Sequence, residues 1–132
     1  MQHWLLVRGR GERPLERMHG DEVRAHSSSK RPSVQPGDLA ILYAAVWQSV
    51  YGIAEVTGPP EQDASRTRWS WRFPLRPHAL VDDLDRAPAV EEAGVFPSSL
   101  WRHSHIRLTP EQFDRAAALV EAASSRIARR GT

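Results

Sequence analysis

Between Arg68 and Arg76, Trp69, Trp71, Phe73 and Leu75 occupy every second position, with Arg68, Ser70, Arg72 and Arg76 among the positions between. A period of two puts alternate side chains on opposite faces of a strand. The segment is therefore expected in a sheet that buries the rings on one face and shows the arginines to water on the other.

Other runs read as partners for that strand. Trp4-Leu5-Leu6-Val7 is a buried strand ended by Gly9 and Gly11. Pro36-Gly37-Asp38 is a turn that launches Leu39 to Ala44, and Val50 to Val56 follows closely enough for an antiparallel hairpin. Gly58-Pro59-Pro60 breaks the chain, Leu80 to Val95 suggests a short acidic helix, and His105 to Leu108 reads as a last strand. Arg13 to Arg31 is polar, irregular and mostly loop.

The final helix is announced by Thr109 as N-cap, Pro110 at the first helical position and Gln112 completing a capping box. Phe113, Ala116, Ala117, Val120, Ala123 and Ile127 then form one apolar stripe, and Arg126, Arg129 and Arg130 complement the helix dipole. About five strands closed by one long helix make an α+β domain. A small curved sheet or partly open barrel with flanking helices is the economical arrangement. Residues 1–124 form this single domain, and 125–132 are the basic end of the last helix and a tail.

Composition removes several classes of function. The chain has 132 residues and no cysteine, which excludes disulfides and thiolate chemistry and suits the cytoplasm. Its longest apolar run, Leu39 to Trp47, falls short of the roughly 20 residues of a membrane span, and Met1-Gln2-His3-Trp4 does not open a signal peptide. Net charge is only +2, although the pI is about 9.7, because nearly all the basic residues are arginine. His103 and His105 are spaced for a strand-borne metal pair but lack an evident third ligand, so no metal is expected. No phosphate loop or nucleophile elbow is present, and neither a cofactor nor a catalytic residue is assigned.

In their order and spacing, several segments resemble an EVE domain, the PUA-like group related to YTH and ASCH domains. They are Trp4-Leu5, the Gly37-Asp38 turn before Leu42-Tyr43, Gly52-Ile53-Ala54-Glu55-Val56, and Ser104 to Phe113. The likeness spans about residues 3 to 123. Where the family often carries Lys-Ser-Glu-Pro, this chain has Arg8-Gly9-Arg10-Gly11, and the family's Gly-Val-Arg-Asn is echoed only by Gly20 and Val23-Arg24. The resemblance implies a PUA-like barrel that binds DNA or RNA. It also implies a base, methylated cytosine or adenine for example, flipped into an aromatic pocket.

The residues supply material for such a site. Trp47 sits in a short polar connection, and Trp101 stands beside Arg102-His103-Ser104; both are candidate base platforms. Trp4, Trp69 and Trp71 are assigned to the core. Ser28, Ser29 and Lys30 align with the family's pocket-lining segment, with Tyr43 and Ser104 as further lining. Arg68, Arg72 and Arg76, with Arg102 and Arg107, offer a surface for the phosphate backbone. Two other readings stand beside this one. An ASCH-like amidohydrolase acting on modified nucleosides would need Lys30 close to Glu55. A protein-interaction domain would spend its Trp and Arg on an interface.

Overall fold

The computed structural model describes residues 1–8, 24–81, 84–100 and 103–131, the last seven of these by backbone alone. Seven strands and one α-helix are present among them: β1 (His3–Arg8), β2 (Ala25–Ser28), β3 (Leu39–Ala44), β4 (Ser49–Val56), β5 (Glu61–Gln62), β6 (Trp71–Leu80), β7 (His105–Arg107) and α1 (Pro110–Gly131). The sheet runs β2-β6-β4-β3-β1-β7, with β5 pairing only β6. β1 lies parallel to β3 and the other pairs are antiparallel. The result is a curled mixed sheet, α+β, with a long C-terminal helix.

β3 and β4 form the expected hairpin through a turn at residues 45–48, where Gln48 takes a left-handed φ of 54°. The turn before β3 depends on Gly37, whose φ of 92° suits a residue without a Cβ. Asp38 then ties this turn to the start of β1. Its carboxylate accepts from the Gln2 amide (3.0 Å), the Gln35 amide (2.9 Å) and Trp4 Nε1 (2.9 Å).

The helix start is as expected. Thr109 Oγ1 accepts from the Gln112 amide (3.1 Å), and the Thr109 amide donates to Gln112 Oε1 (3.0 Å). Phe113, Ala116, Val120 and Ala123 are buried, and α1 packs on β4, β6, β3 and β1. Ile127, Arg126, Arg129 and Arg130 lie where side chains are not described.

Two expectations require correction. β6 begins at Trp71, so Arg68 and Trp69 lie in the preceding loop, Trp69 with a left-handed φ of 55°. A left-handed residue interrupts the pleat, so Arg68 does not share a face with Arg72 and Arg76. The acidic helix expected within 80–95 is also shorter than a full α-helix, taking 3-10 form at Val90–Ala93 with Glu91 and Glu92. β6 runs on to Leu80, and short 3-10 turns follow at Leu84–Arg86, Val90–Ala93 and Pro97–Ser99. Gly94 at φ 81° and Pro97 keep these turns short.

Alternation assigns the two faces of the sheet. Trp4, Leu6 and Arg8 of β1 point one way, with Ala40, Leu42 and Ala44 beside them on β3 and His105 on β7. His3, Leu5 and Val7 point the other way, with Ile41 and Tyr43. The His3 ring lies 4.6 Å from that of Phe113, so this second face is the one α1 covers.

Candidate functional site

The strand path has two ends, β2 and β7, and their side chains meet. His26 Nε2 lies 2.9 Å from the Ser104 carbonyl, and Ser104 Oγ lies 3.4 Å from Ser28 Oγ. The curled sheet is thereby drawn toward a barrel, with a seam where β1, β2 and β7 converge. A carbonyl only accepts, so Nε2 of His26 carries the proton and Nδ1 presents a lone pair. Burial, then the positive charge of Arg8, lowers the His26 pKa to about 3, so the ring is neutral.

Around this bond lies a small polar network. Ser28 is buried and donates from Oγ to the Lys30 carbonyl at 2.7 Å, leaving its oxygen to accept from Ser104. Ser104 Oγ also lies 2.9 Å from His105 Nδ1, whose ring meets Trp4 edge-on at 5.5 Å between centroids. The pKa of His105 is lowered, by burial first and by His103 second. Arg8 reaches into the same region. Its Nη1 is buried and has no hydrogen-bond partner.

Aromatic surface borders the network. β2 pairs with β6 so that His26 faces Phe73 and Ser28 faces Trp71. The His26 and Phe73 rings are 5.6 Å apart. Trp71 is half-buried, and the Arg31 guanidinium lies 5.7 Å from its ring centroid. Trp71 was assigned to the core on alternation alone; a period of two identifies an inward face but not that this strand end lies at a rim. Arg31 and Arg8 were also overlooked, since nothing local in sequence links either of them to Trp71 or His26.

The expected residues are distributed unevenly. Ser28 and Ser104 meet at the seam, and Ser29 and Lys30 are exposed just beyond it. Trp47 is 42% exposed in the β3–β4 turn, which follows Ala45, whose amide donates to the Arg8 carbonyl at 2.8 Å. Tyr43 is buried on the face that α1 covers, opposite to Arg8, and burial raises its phenol pKa. Trp101 and Arg102 lie outside the described residues, as do Gly9, Gly11, Gly20 and Val23.

The basic residues also separate. Arg72 is exposed opposite Ser27 and Glu61, and Arg66 Nη1 lies 3.4 Å from Ser27 Oγ. Arg107 is exposed on β7. Arg76, in contrast, is paired with Glu55 at 2.8 Å, and His78 Nε2 approaches the same carboxylate oxygen at 3.1 Å. These contacts lower the Glu55 pKa, the Arg76 hydrogen bond most of all. No hydrogen bond or ion pair joins Glu55 to Lys30. The register sets Ser28 opposite Trp71, five positions along β6 from Arg76, about 16 Å of strand. The catalytic pairing that an amidohydrolase would need is not formed.

A cleft of about 460 Å³ is lined by Ala25, Glu61, Gln62, Asp63, Arg72 and Pro74 among others, and by none of the seam residues His26, Ser28 and Ser104. Ala25, Arg72 and Pro74 alternate with His26 and Phe73, so this cleft lies on the outer side of the β2–β6 pair. Among the described residues, no helix is long and apolar enough to cross a membrane.

No protein-family model matches the chain, and no curated protein matches it. Solved structures do. The chain is similar to Rpa0253 from Rhodopseudomonas palustris at 13% identity, with 92% of this chain and 94% of that chain covered and a TM-score of 0.65. It is similar to Atu2648 from Agrobacterium tumefaciens at 13% identity, covering 93% and 95%, with a TM-score of 0.65. The human THYN1 protein, solved in complex with DNA containing 5-methylcytosine, matches at 13% identity over 92% of this chain and 98% of that chain, with a TM-score of 0.62. At such identities the likeness establishes a shared fold.

Proposed function

We propose that this chain is an EVE-type module that binds nucleic acid and seats one base, turned out of its stack, at the seam between β1, β2 and β7. The observation that carries this reading is the convergence of Ser28, Ser104 and the half-buried Trp71 where the two ends of the sheet meet. Small hydroxyls can read a base edge, and a flat ring can take its face. Lys30, Arg31, Arg66 and Arg72 place positive charge around that end of the β2–β6 pair, where phosphates would pass. Trp47, exposed in the turn beside the end of β1, is the second aromatic platform. The fold shared with human THYN1, which was solved with 5-methylcytosine DNA, supports both the ligand class and a modified cytosine as the first base to try.

The test is a tryptophan-fluorescence titration of the full chain. The ligands are short single- and double-stranded DNA and RNA carrying plain, 5-methylated or 5-hydroxymethylated cytosine, or N6-methylated adenine, at two salt concentrations. Salt-sensitive binding that one modification strengthens and Trp71→Ala or Trp47→Ala weakens supports the reading. No binding to any ligand at low salt sinks it.

A further inference from the structure

A guanidinium nitrogen buried without an acceptor is unfavourable, because it has given up water and received nothing in exchange. Arg8 Nη1 is in that position, and among the described residues no acidic side chain forms an ion pair with Arg8. Arg8 is on the same sheet face as Trp4, Leu6 and His105, the face toward which His26 also points. The groups nearest to it do not supply a negative charge. His26 is neutral, and Ser28 and Ser104 are hydroxyls. Among the described residues, the seam thus holds a cation without a counter-charge, beside an imidazole lone pair and two hydroxyls.

We infer that Arg8 is the specificity-determining residue of this seam and holds an anionic oxygen of the bound nucleotide. This rests on the base-binding reading above and adds to it the charge of the group that must enter. The anionic oxygen has two possible sources, a carboxylate carried on the base or a phosphate flanking the seated nucleotide. Both satisfy the guanidinium by charge-assisted hydrogen bonds.

The experiment titrates the full chain with short single-stranded DNA whose central residue is cytosine, 5-methylcytosine or 5-carboxylcytosine. A second set has neutral methylphosphonates in place of the two phosphates flanking that residue. Wild type is expected to favour the carboxyl base over the methyl base, or natural phosphates over methylphosphonates, by about tenfold or more, and which preference appears identifies the source. Arg8→Gln is expected to erase that preference. Arg8→Met is expected to leave the melting temperature unchanged or raised, since it removes a guanidinium nitrogen buried without a hydrogen-bond partner. Oligonucleotide binding with neither preference, or a preference that survives Arg8→Gln, overturns the inference and leaves the base-reader reading standing. A lowered melting temperature for Arg8→Met marks the residue as structural and overturns it too. If no oligonucleotide binds at all, both readings fall together.

Discussion

His26 and Ser104 stand 78 positions apart in the chain, yet the imidazole Nε2–H reaches the Ser104 carbonyl at 2.9 Å. No β2–β7 ladder forms among the described residues, so at this seam side chains do what backbone bonds do elsewhere in the sheet. The bond needs a neutral ring in its Nε2–H form, and burial beside Arg8 ensures the neutral state.

Stability should therefore fall in acid through His26. Its folded pKa of about 3 lies below the unfolded value of 6.5, so the unfolded chain binds the proton first as pH drops. The contribution is complete above pH 6.5 and is lost progressively toward pH 3, with a slope approaching about 1.4 kcal/mol per pH unit. Denaturant unfolding between pH 7 and 4 measures it, and His26→Gln should flatten the curve.

Asp38→Asn should destabilise the fold by about 1.5–3 kcal/mol. Three N–H donors converge on this carboxylate, and the asparagine amide group turns a donor toward one of them. Chemical denaturation at neutral pH measures the loss. The same bonds lower the Asp38 pKa, so its contribution is present above the unfolded carboxylate pKa and disappears below it.

Trp71→Ala should weaken binding of the preferred oligonucleotide by about 1–3 kcal/mol, the usual worth of one stacked base. Tyr43→Phe, on the helix-covered face, should leave affinity unchanged. Titration of the two variants side by side makes the comparison. A loss confined to Tyr43→Phe would put the platform on the wrong face.

Arg72→Gln and Arg66→Gln should each reduce the salt dependence of binding, by about one unit or less of log K against log salt. Arg76→Gln should change it less, because Glu55 already pairs that guanidinium. Affinities at three or four salt concentrations distinguish them.

Thr109→Ala should cost about 0.5–2 kcal/mol of stability and leave binding intact, since it removes the N-cap of α1 and touches nothing at the seam. A thermal melt beside the same titration checks both halves.

Much of this architecture was legible where the controlling interactions are local. The capping box at Thr109 and Gln112, the Pro36-Gly37-Asp38 turn and the β3–β4 hairpin each depend on residues a few positions apart, and all were readable in the sequence. Within Leu80–Val95 the acidic helix was legible but not its extent, since Leu80 pairs with Gly52 in the sheet and the helix keeps to 3-10 form at Val90–Ala93. The start of β6 was misplaced for a related reason. An alternating pattern does not reveal that one of its members, Trp69, takes a left-handed backbone.

The sequence by itself determined a strand-rich domain closed by a capped helix, because periodicity and capping are short-range properties that each segment carries alone. Only the tertiary structure decided which side chains share the seam. It put Tyr43 behind the sheet, paired Arg76 away from it, brought Ser104 to Ser28 and left Arg8 Nη1 buried near His26 without a hydrogen-bond partner. The physical reason is that face and register follow from how β1, β2 and β7 curl together. That closure joins segments whose order along the chain gives no sign that they will meet.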